Sequence, residues 1–543
     1  MNRSLVALLL MLALLTACRA APAALPTAVP TAAAPGEVAT EQGSANELPT
    51  ATIPPIAPEA TPPADPPPAA TQPSAVEPSA VQPPDRAVFA AGLIDAERAV
   101  LDDFPAAPIY QMAIEIDESL AIVRGRQTVF YTNLEDTPLD ALYFHLHAKT
   151  LGGLITVTDV TVDGTAVIAD DTINHLLRVP LPAPLAPGAA TAVAMNFTTI
   201  VPTEIGRNYG VLAYYEEVLA LAHFYPMLAV YDATGWNTVE PDVQGDLTYS
   251  DAAFFLVEVT APANVTLVGS GAIVAETTQG DTQTITYAVG PARDFYLAAG
   301  DFAVTSATVG ETTINSYAPS DMSQGAALAL EVAAAALTSL NERLGSYPYT
   351  ELDIVTTPTS ALGIEYPGLI VGTLRMYDTE LTSQSGMSYA DILESTTAHE
   401  VNHQWFYNLV GNDQLDEPWL DESLTSYSTY RYYADRYGQE AADNYFNMFE
   451  GRWAMVEGEE IPVGMPVAEY EEAEYSAIVY GRGAVFLRLL EKTIGRETFD
   501  AFLRDYIQQF RWRVAGTAAF RALAEEHCAC DLGPLFAAWV YEE

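Results

Sequence analysis

Between about Tyr110 and Val304, apolar side chains fall on every second position. Tyr110, Met112, Ile114 and Ile116 do so, then Val193, Met195 and Phe197, and later Ile285, Tyr287 and Val289. Successive residues of a strand point to opposite faces, so this spacing predicts strands with one buried face. Asp163-Gly164, Pro187-Gly188 and Gly280-Asp281 punctuate the runs as turns. Together they predict a largely antiparallel, sandwich-like β domain. Near Ser323 the period changes: Ala, Leu and Val become dense through Leu344, and Gly345 follows as a stop, which predicts a helix. The change of period puts a domain boundary near residue 305. A short strand over 352–355 and an apolar run over 369–371 come next, then long helical stretches reaching Trp539. The fold class expected is multidomain α+β, with an N-terminal β domain over 86–305 and an α-rich domain over 306–543.

The first 85 residues follow another pattern. Arg3 precedes an apolar stretch from Leu5 to Leu15, which stops at Leu15-Thr16-Ala17-Cys18. The stretch is too short for an ordinary membrane-spanning helix and reads as an export signal. Its last four residues resemble the bacterial lipobox, in which cleavage before the cysteine frees it for acylation. That resemblance implies a lipoprotein signal peptide over 1–18 and a protein held to the cell membrane through acylated Cys18, facing outside. One acyl chain binds only marginally, whereas several hold firmly. Residues 19–85 are rich in Pro, Ala and Thr and nearly free of large apolar side chains, so they are expected to be a disordered linker.

Composition narrows the partners. The chain has 543 residues, too many for one hydrophobic core, and its 71 Asp+Glu against 23 Lys+Arg give a formal net charge of −48. Such acidity disfavours nucleic acid, whose phosphates reward clustered cations. Beyond Cys18 the only cysteines are Cys528 and Cys530, which is no disulfide framework, and their spacing leaves open whether they are free or bridged.

The chemistry concentrates at His399-Glu400-Val401-Asn402-His403, an HExxH. A helix is expected there, capped by Ser388, striped by Val401, Trp405 and Leu409, and ended by Gly411. Residues four apart share a helix face, so both imidazoles can reach one ion while Glu400 stands beside it. Zinc in a hydrolase usually takes a third protein ligand and leaves a position for water. Glu422 follows His403 by 19 positions (422 − 403) and is the expected third ligand. It lies in a second helix that Asp416 can cap and Pro418 can open, running to Tyr437 before Gly438. His145, His147, His175, His223 and His527 lack ligand spacing relative to this motif. His145 and His147 share a face of an expected strand, which is weak support for a second metal site. The acidic run from Glu469 to Glu474 reads as a solvated loop, or more sharply as a bias toward basic peptides.

These residues resemble the aminopeptidase N family of zinc metallopeptidases within the gluzincins. Its HExxH is followed by a glutamate in a Trp-Leu-Asn-Glu-like context, close to Trp419-Leu420-Asp421-Glu422. Gly363-Ile364-Glu365-Tyr366 is similar to the family's exopeptidase segment, and Tyr480-Gly481-Arg482-Gly483 to its tyrosine motif. The resemblance implies a thermolysin-like catalytic domain over 306–543 and one catalytic zinc ion on His399, His403 and Glu422. It further implies Glu400 as general base toward the zinc's water, Tyr480 as support for the transition state, and Glu365 with Gly363 binding the substrate's free amino end. Leu362 and Tyr366 depart from the family's Gly-Ala-Met-Glu-Asn. Three readings follow: an aminopeptidase acting on peptides at the outer cell surface, an endopeptidase or other hydrolase in which Glu365 selects no amino terminus, and a non-catalytic surface binder.

Overall fold

The computed structural model describes residues 82–541 except Arg207, Val243, Gln384, Ser385, Gly458 and the side chain of Glu472. The expected signal peptide and nearly all of the expected linker lie outside the described residues.

The alternation read from sequence becomes an eight-stranded sheet. Its spatial order is Ala272–Gln279, Thr282–Ala292, Ala253–Pro262, Ile109–Ile116, Ile122–Thr132, Ala190–Ile200, Leu154–Val162 and Thr165–Ala166. All neighbours run antiparallel except Ile109–Ile116 against Ala253–Pro262, which are parallel. In Ile109–Ile116 the side chains of Tyr110, Met112, Ile114 and Ile116 are buried while Gln111 and Glu115 are exposed, the period-two pattern of a half-buried strand. Two smaller sheets add Leu142, Phe144, Leu219 and Leu297 to the same buried cluster.

A second architecture begins at Ala303. Its five-stranded sheet has the order Ala303–Val309, Thr312–Ala318, Glu351–Thr357, Leu369–Thr373 and Gly363–Tyr366. Thr312–Ala318, Glu351–Thr357 and Leu369–Thr373 are parallel, and Gly363–Tyr366 closes the edge antiparallel. Parallel neighbours need a crossover, and helix Ser323–Leu344 supplies it. Its alanines at 326, 329, 333 and 336 are buried, so small side chains let the helix lie close to its neighbours. Gly345 ends it with φ 108°, a conformation that glycine adopts without strain. Helices Tyr389–Asn402, Trp419–Tyr437, Gln439–Trp453, Gly483–Ile494, Arg496–Phe510, Thr517–Cys528 and Gly533–Trp539 complete the chain. Cys528 and Cys530 are joined by a disulfide.

One hydrophobic cluster reaches from Leu93 to Val540, so the β sheets and the helices share a core. Arg293, fully buried, ties them together: it donates to the carbonyls of Ser250 (3.2 Å), Asn408 (3.2 Å) and Arg513 (2.7 Å). A buried guanidinium is tolerated when its donors find acceptors in this way.

Three local expectations are corrected. The HExxH helix ends at Asn402, not at Gly411, which instead lies in a two-residue strand paired with Arg513–Val514. Trp405 and Leu409 are buried as the stripe implied, but from a turn, because periodicity reports burial and not hydrogen bonding. Asp416 does not cap the Glu422 helix; Asp413 accepts from the backbone N–H groups of Leu415 and Asp416 and shapes the entry turn. His147 opens a short helix, 147–150, while the strand stops at His145.

Candidate active site

Two helices and an edge strand build the site. Ser388 caps the first helix, its hydroxyl accepting from Ala390 N (3.1 Å), and this fixes the phase that puts His399 and His403 on one face. Immediately after Asn402 the chain turns so that the Phe406 carbonyl comes back to His403, whose Nδ1 donates to it at 3.0 Å. That bond orients the ring and leaves Nε2 with its lone pair toward the cleft. The early end of the helix therefore has a chemical consequence. The second helix, Trp419–Tyr437, packs against the first and brings Glu422 in from its first turn.

The three donor atoms converge. His399 Nε2 lies 3.1 Å from Glu422 Oε2, His403 Nε2 lies 3.4 Å from it, and the two Nε2 atoms are 3.2 Å apart. Tetrahedral ligands at the usual zinc distances of about 2.0–2.1 Å stand roughly 3.3 Å from one another, so the donor set fits that ion. The charge also fits. Glu365, Glu400, Asp421 and Glu422 are all buried around two imidazoles, an excess of acid that a divalent cation would offset. Glu365, Glu422 and Glu400 push the pKa of His403 well above its usual value despite burial, so the surroundings of this imidazole favour positive charge. His399 is pushed down, chiefly by burial.

Glu400 is buried beside this group and its pKa is raised, first by loss of water and then by Glu365 and Glu422, while His403 opposes the shift. Gly363 faces it from the edge strand, where any Cβ would collide with the Glu400 carboxyl group. Glycine at this position is thus a matter of space. Two residues on, Glu365 Oε1 is 3.9 Å from His403 Nδ1, and burial raises its pKa also. Tyr480 approaches from the opposite side on a π-helical turn, Ser476–Arg482, and its hydroxyl donates to Glu422 Oε1. Such wide turns are common at functional sites because they re-aim one side chain. Burial beside Glu422 keeps the phenol protonated. Arg482 faces away from the cleft; it donates to the carbonyls of Ile461, Ala538 and Trp539 and stacks on Trp539 at 4.6 Å.

All these catalytic candidates border one cavity of about 420 Å³. The structure adds residues that the sequence reading missed. Asp246 enters from the β half, half-buried, and its pKa is raised by loss of water and by Glu422 and Asp421. Arg452 lies on the far wall against Tyr480. No spacing relates either residue to the motifs, and only packing brings them there. Of the acidic run, Tyr470 is buried and Glu469 and Glu471 are exposed, and none of these borders the cavity.

Known proteins resemble this chain in sequence and in fold. The family model for the peptidase family M1 domain matches residues 328–539. Over 305 residues the chain is 27% identical to aminopeptidase M1-B of Oryza sativa subsp. japonica, covering 54% of this chain and 34% of that protein. It is 31% identical over 192 residues to glutamyl aminopeptidase of Bos taurus, covering 33% of this chain and 20% of that one. The chain thus spans about a third or less of the length of these curated relatives. An M1 zinc metallopeptidase structure from Deinococcus radiodurans aligns with a TM-score of 0.59 at 20% identity, over 80% of this chain and 93% of that chain. A second structure from that organism, bound to a Tyr-Ser-Ala substrate, aligns at 19% identity with the same TM-score and the same two coverages. At such identity the likeness is one of fold: a helical domain follows a β-rich one in the same two-part architecture.

Proposed function

We propose that the protein is a zinc-dependent aminopeptidase that removes N-terminal residues from peptides. The observation that carries this reading is the convergence of His399, His403 and Glu422 beside a buried Glu400, with Glu365 and Asp246 bordering the same cavity. When bound, zinc supplies Lewis-acid chemistry, polarising a carbonyl and lowering the pKa of water toward about 7. Glu400 then accepts the proton of the attacking water, a role suited to a carboxylate whose pKa burial has raised. It returns that proton to the departing amine. Tyr480 donates its hydroxyl to the oxygen that gains charge, and loss of one such donor typically costs about 100- to 1000-fold in rate.

Glu365 and Asp246 account for the choice of end. After burial itself, Asp246 is what most raises the pKa of Glu365, and a substrate ammonium arriving beside Glu365 relieves that repulsion. Placing the ammonium there sets the scissile bond one residue in. The test is a chelation-and-rescue assay on matched free and N-acetylated peptides. Zinc-restored hydrolysis of free substrates with little of acetylated ones supports the reading; equal rates would leave an endopeptidase.

We further propose that the enzyme works outside the cell, held to the membrane by acylated Cys18, on the strength of Leu15-Thr16-Ala17-Cys18 after an apolar stretch. Cys18→Ser should move the protein from the membrane fraction to the soluble one; unchanged fractionation would reject the anchor.

A further inference from the structure

We infer that Arg452 receives a carboxylate of the substrate on the leaving-group side of the scissile bond, so that the enzyme selects peptides carrying a negative charge there. The inference rests on the aminopeptidase reading and concerns the opposite end of the same cleft. Glu365 lies against His403, 3.9 Å from its Nδ1. Arg452 lies beyond the other imidazole: its guanidinium carbon is 5.3 Å from the centre of the Tyr480 ring, which itself stacks 6.0 Å from the ring of His399. The cleft is therefore polarised, with carboxylates at one end, the metal ligands between, and a guanidinium at the other.

Arg452 differs from the other cations of this acidic chain. Among the described residues, three arginines have neither a hydrogen-bond acceptor nor a carboxylate partner: Arg126, Arg513 and Arg452. The first two are exposed to solvent, and only Arg452 is half-buried and borders the cavity. Its neighbours along the helices are all engaged, Arg431 with Asp500, Arg436 with Glu331, and Arg488 with Asp443. With 71 acidic residues in the chain, a cleft arginine left without one has its five donors free for a ligand. A guanidinium matches a carboxylate in a two-pronged contact, which gives orientation as well as affinity.

A short peptide has the complementary charges. Each residue spans at most about 3.3–3.6 Å, so the ammonium and carboxylate of a di- or tripeptide stand roughly 7–11 Å apart when extended. An acidic side chain just past the scissile bond offers the same group. Either source would add a contact at one end of the cleft while Glu365 holds the other.

The experiment measures kcat/KM of the full chain, zinc-loaded, on leucyl-alanine against leucyl-alaninamide, and on leucyl-glutamyl-alaninamide against its glutaminyl counterpart. Wild-type protein should prefer the charged member of at least one pair by about 10- to 100-fold, mostly through KM. The pair that shows the preference identifies the source of the carboxylate. Arg452→Gln should abolish that preference while changing hydrolysis of the uncharged member little, and Arg452→Lys should restore part of it. Equal wild-type rates in both pairs would overturn the inference. So would an Arg452→Gln protein that loses activity on both members equally, since the arginine would then serve only to pack Tyr480. Failure of the aminopeptidase reading itself is a separate result, visible as hydrolysis of N-acetylated forms of these peptides at undiminished rate.

Discussion

His399 and His403 lie in the helical half of the molecule, and a second group, His145, His147, His175 and His223, lies in the β half. The ring centres of His399 and His403 are 4.9 Å apart, and those of His145 and His147 are 5.0 Å apart. Proximity is the same, and orientation separates them. The first pair meets edge to face at 78°, which turns both Nε2 atoms to one point beside Glu422. The second pair is stacked at 13°, and three of the β-half rings turn Nε2 to other partners. His145 Nε2 donates to Asn237 O, His175 Nε2 to Thr238 O, and His223 Nε2 to Asp294. The surroundings differ in charge as well. Carboxylates drive the pKa of His403 up, whereas burial drives His145 down to about 4 and His147 well below its usual value. Among the described residues, the only groups of donor atoms close enough to share an ion are the two at His403. A metal centre is thus distinguished from packed imidazoles by where the nitrogens point and by the acid around them.

The largest expected effect tests the first group. Glu400→Gln should lower peptide hydrolysis by about 100- to 10,000-fold while zinc remains bound, because the proposed base is lost and the proposed ligands are intact. Undiminished activity in a zinc-loaded variant would remove Glu400 from the mechanism. Gly363→Ala should come next. Its methyl group must displace the Glu400 carboxyl, and a shift of about 1 Å at a reacting group can cost on the order of 100-fold. Activity within a few-fold of wild type would show that the strand gives way instead.

The second group should answer in stability and not in catalysis. His145 has a folded-state pKa of about 4, below its unfolded value near 6.5. The unfolded chain therefore binds the proton first, so the stability this residue allows is complete above pH 6.5 and is lost as pH falls toward 4. The slope is at most about 1.4 kcal/mol per pH unit for one such group. His145→Gln, whose side-chain amide can still donate to Asn237, should flatten the fall in Tm between pH 6.5 and 4 and leave kcat/KM near wild type. A Tm profile unchanged in that window would refute the assignment.

What the sequence made legible followed from local rules. Ser388 capped the helix as read, and spacing of four put the two imidazoles together. Glu422 came from a helix whose start and glycine stop were marked at Pro418 and Gly438. The end of the HExxH helix was not legible, because Trp405 and Leu409 keep a helical apolar rhythm while buried in a turn. The turn that follows brings the Phe406 carbonyl to the His403 ring, a contact that no propensity encodes. His147 looked like a strand residue because alternation continues one step past the last ladder bond. Asp246 and Arg452 were invisible for a further reason: each reaches the cavity from an element with no sequence relation to the motif. Only the packing of the β half and of helix Gln439–Trp453 around the cleft defines them.

The measurement that bears most directly on the contrast between the two histidine groups is zinc content per chain. Purified wild-type protein should hold one ion, His399→Ala and His403→Ala should hold none, and His145→Gln and His147→Gln should keep the full complement. Zinc retained without His399 or His403, or lost on replacing His145 or His147 in a protein that still folds, would contradict the account.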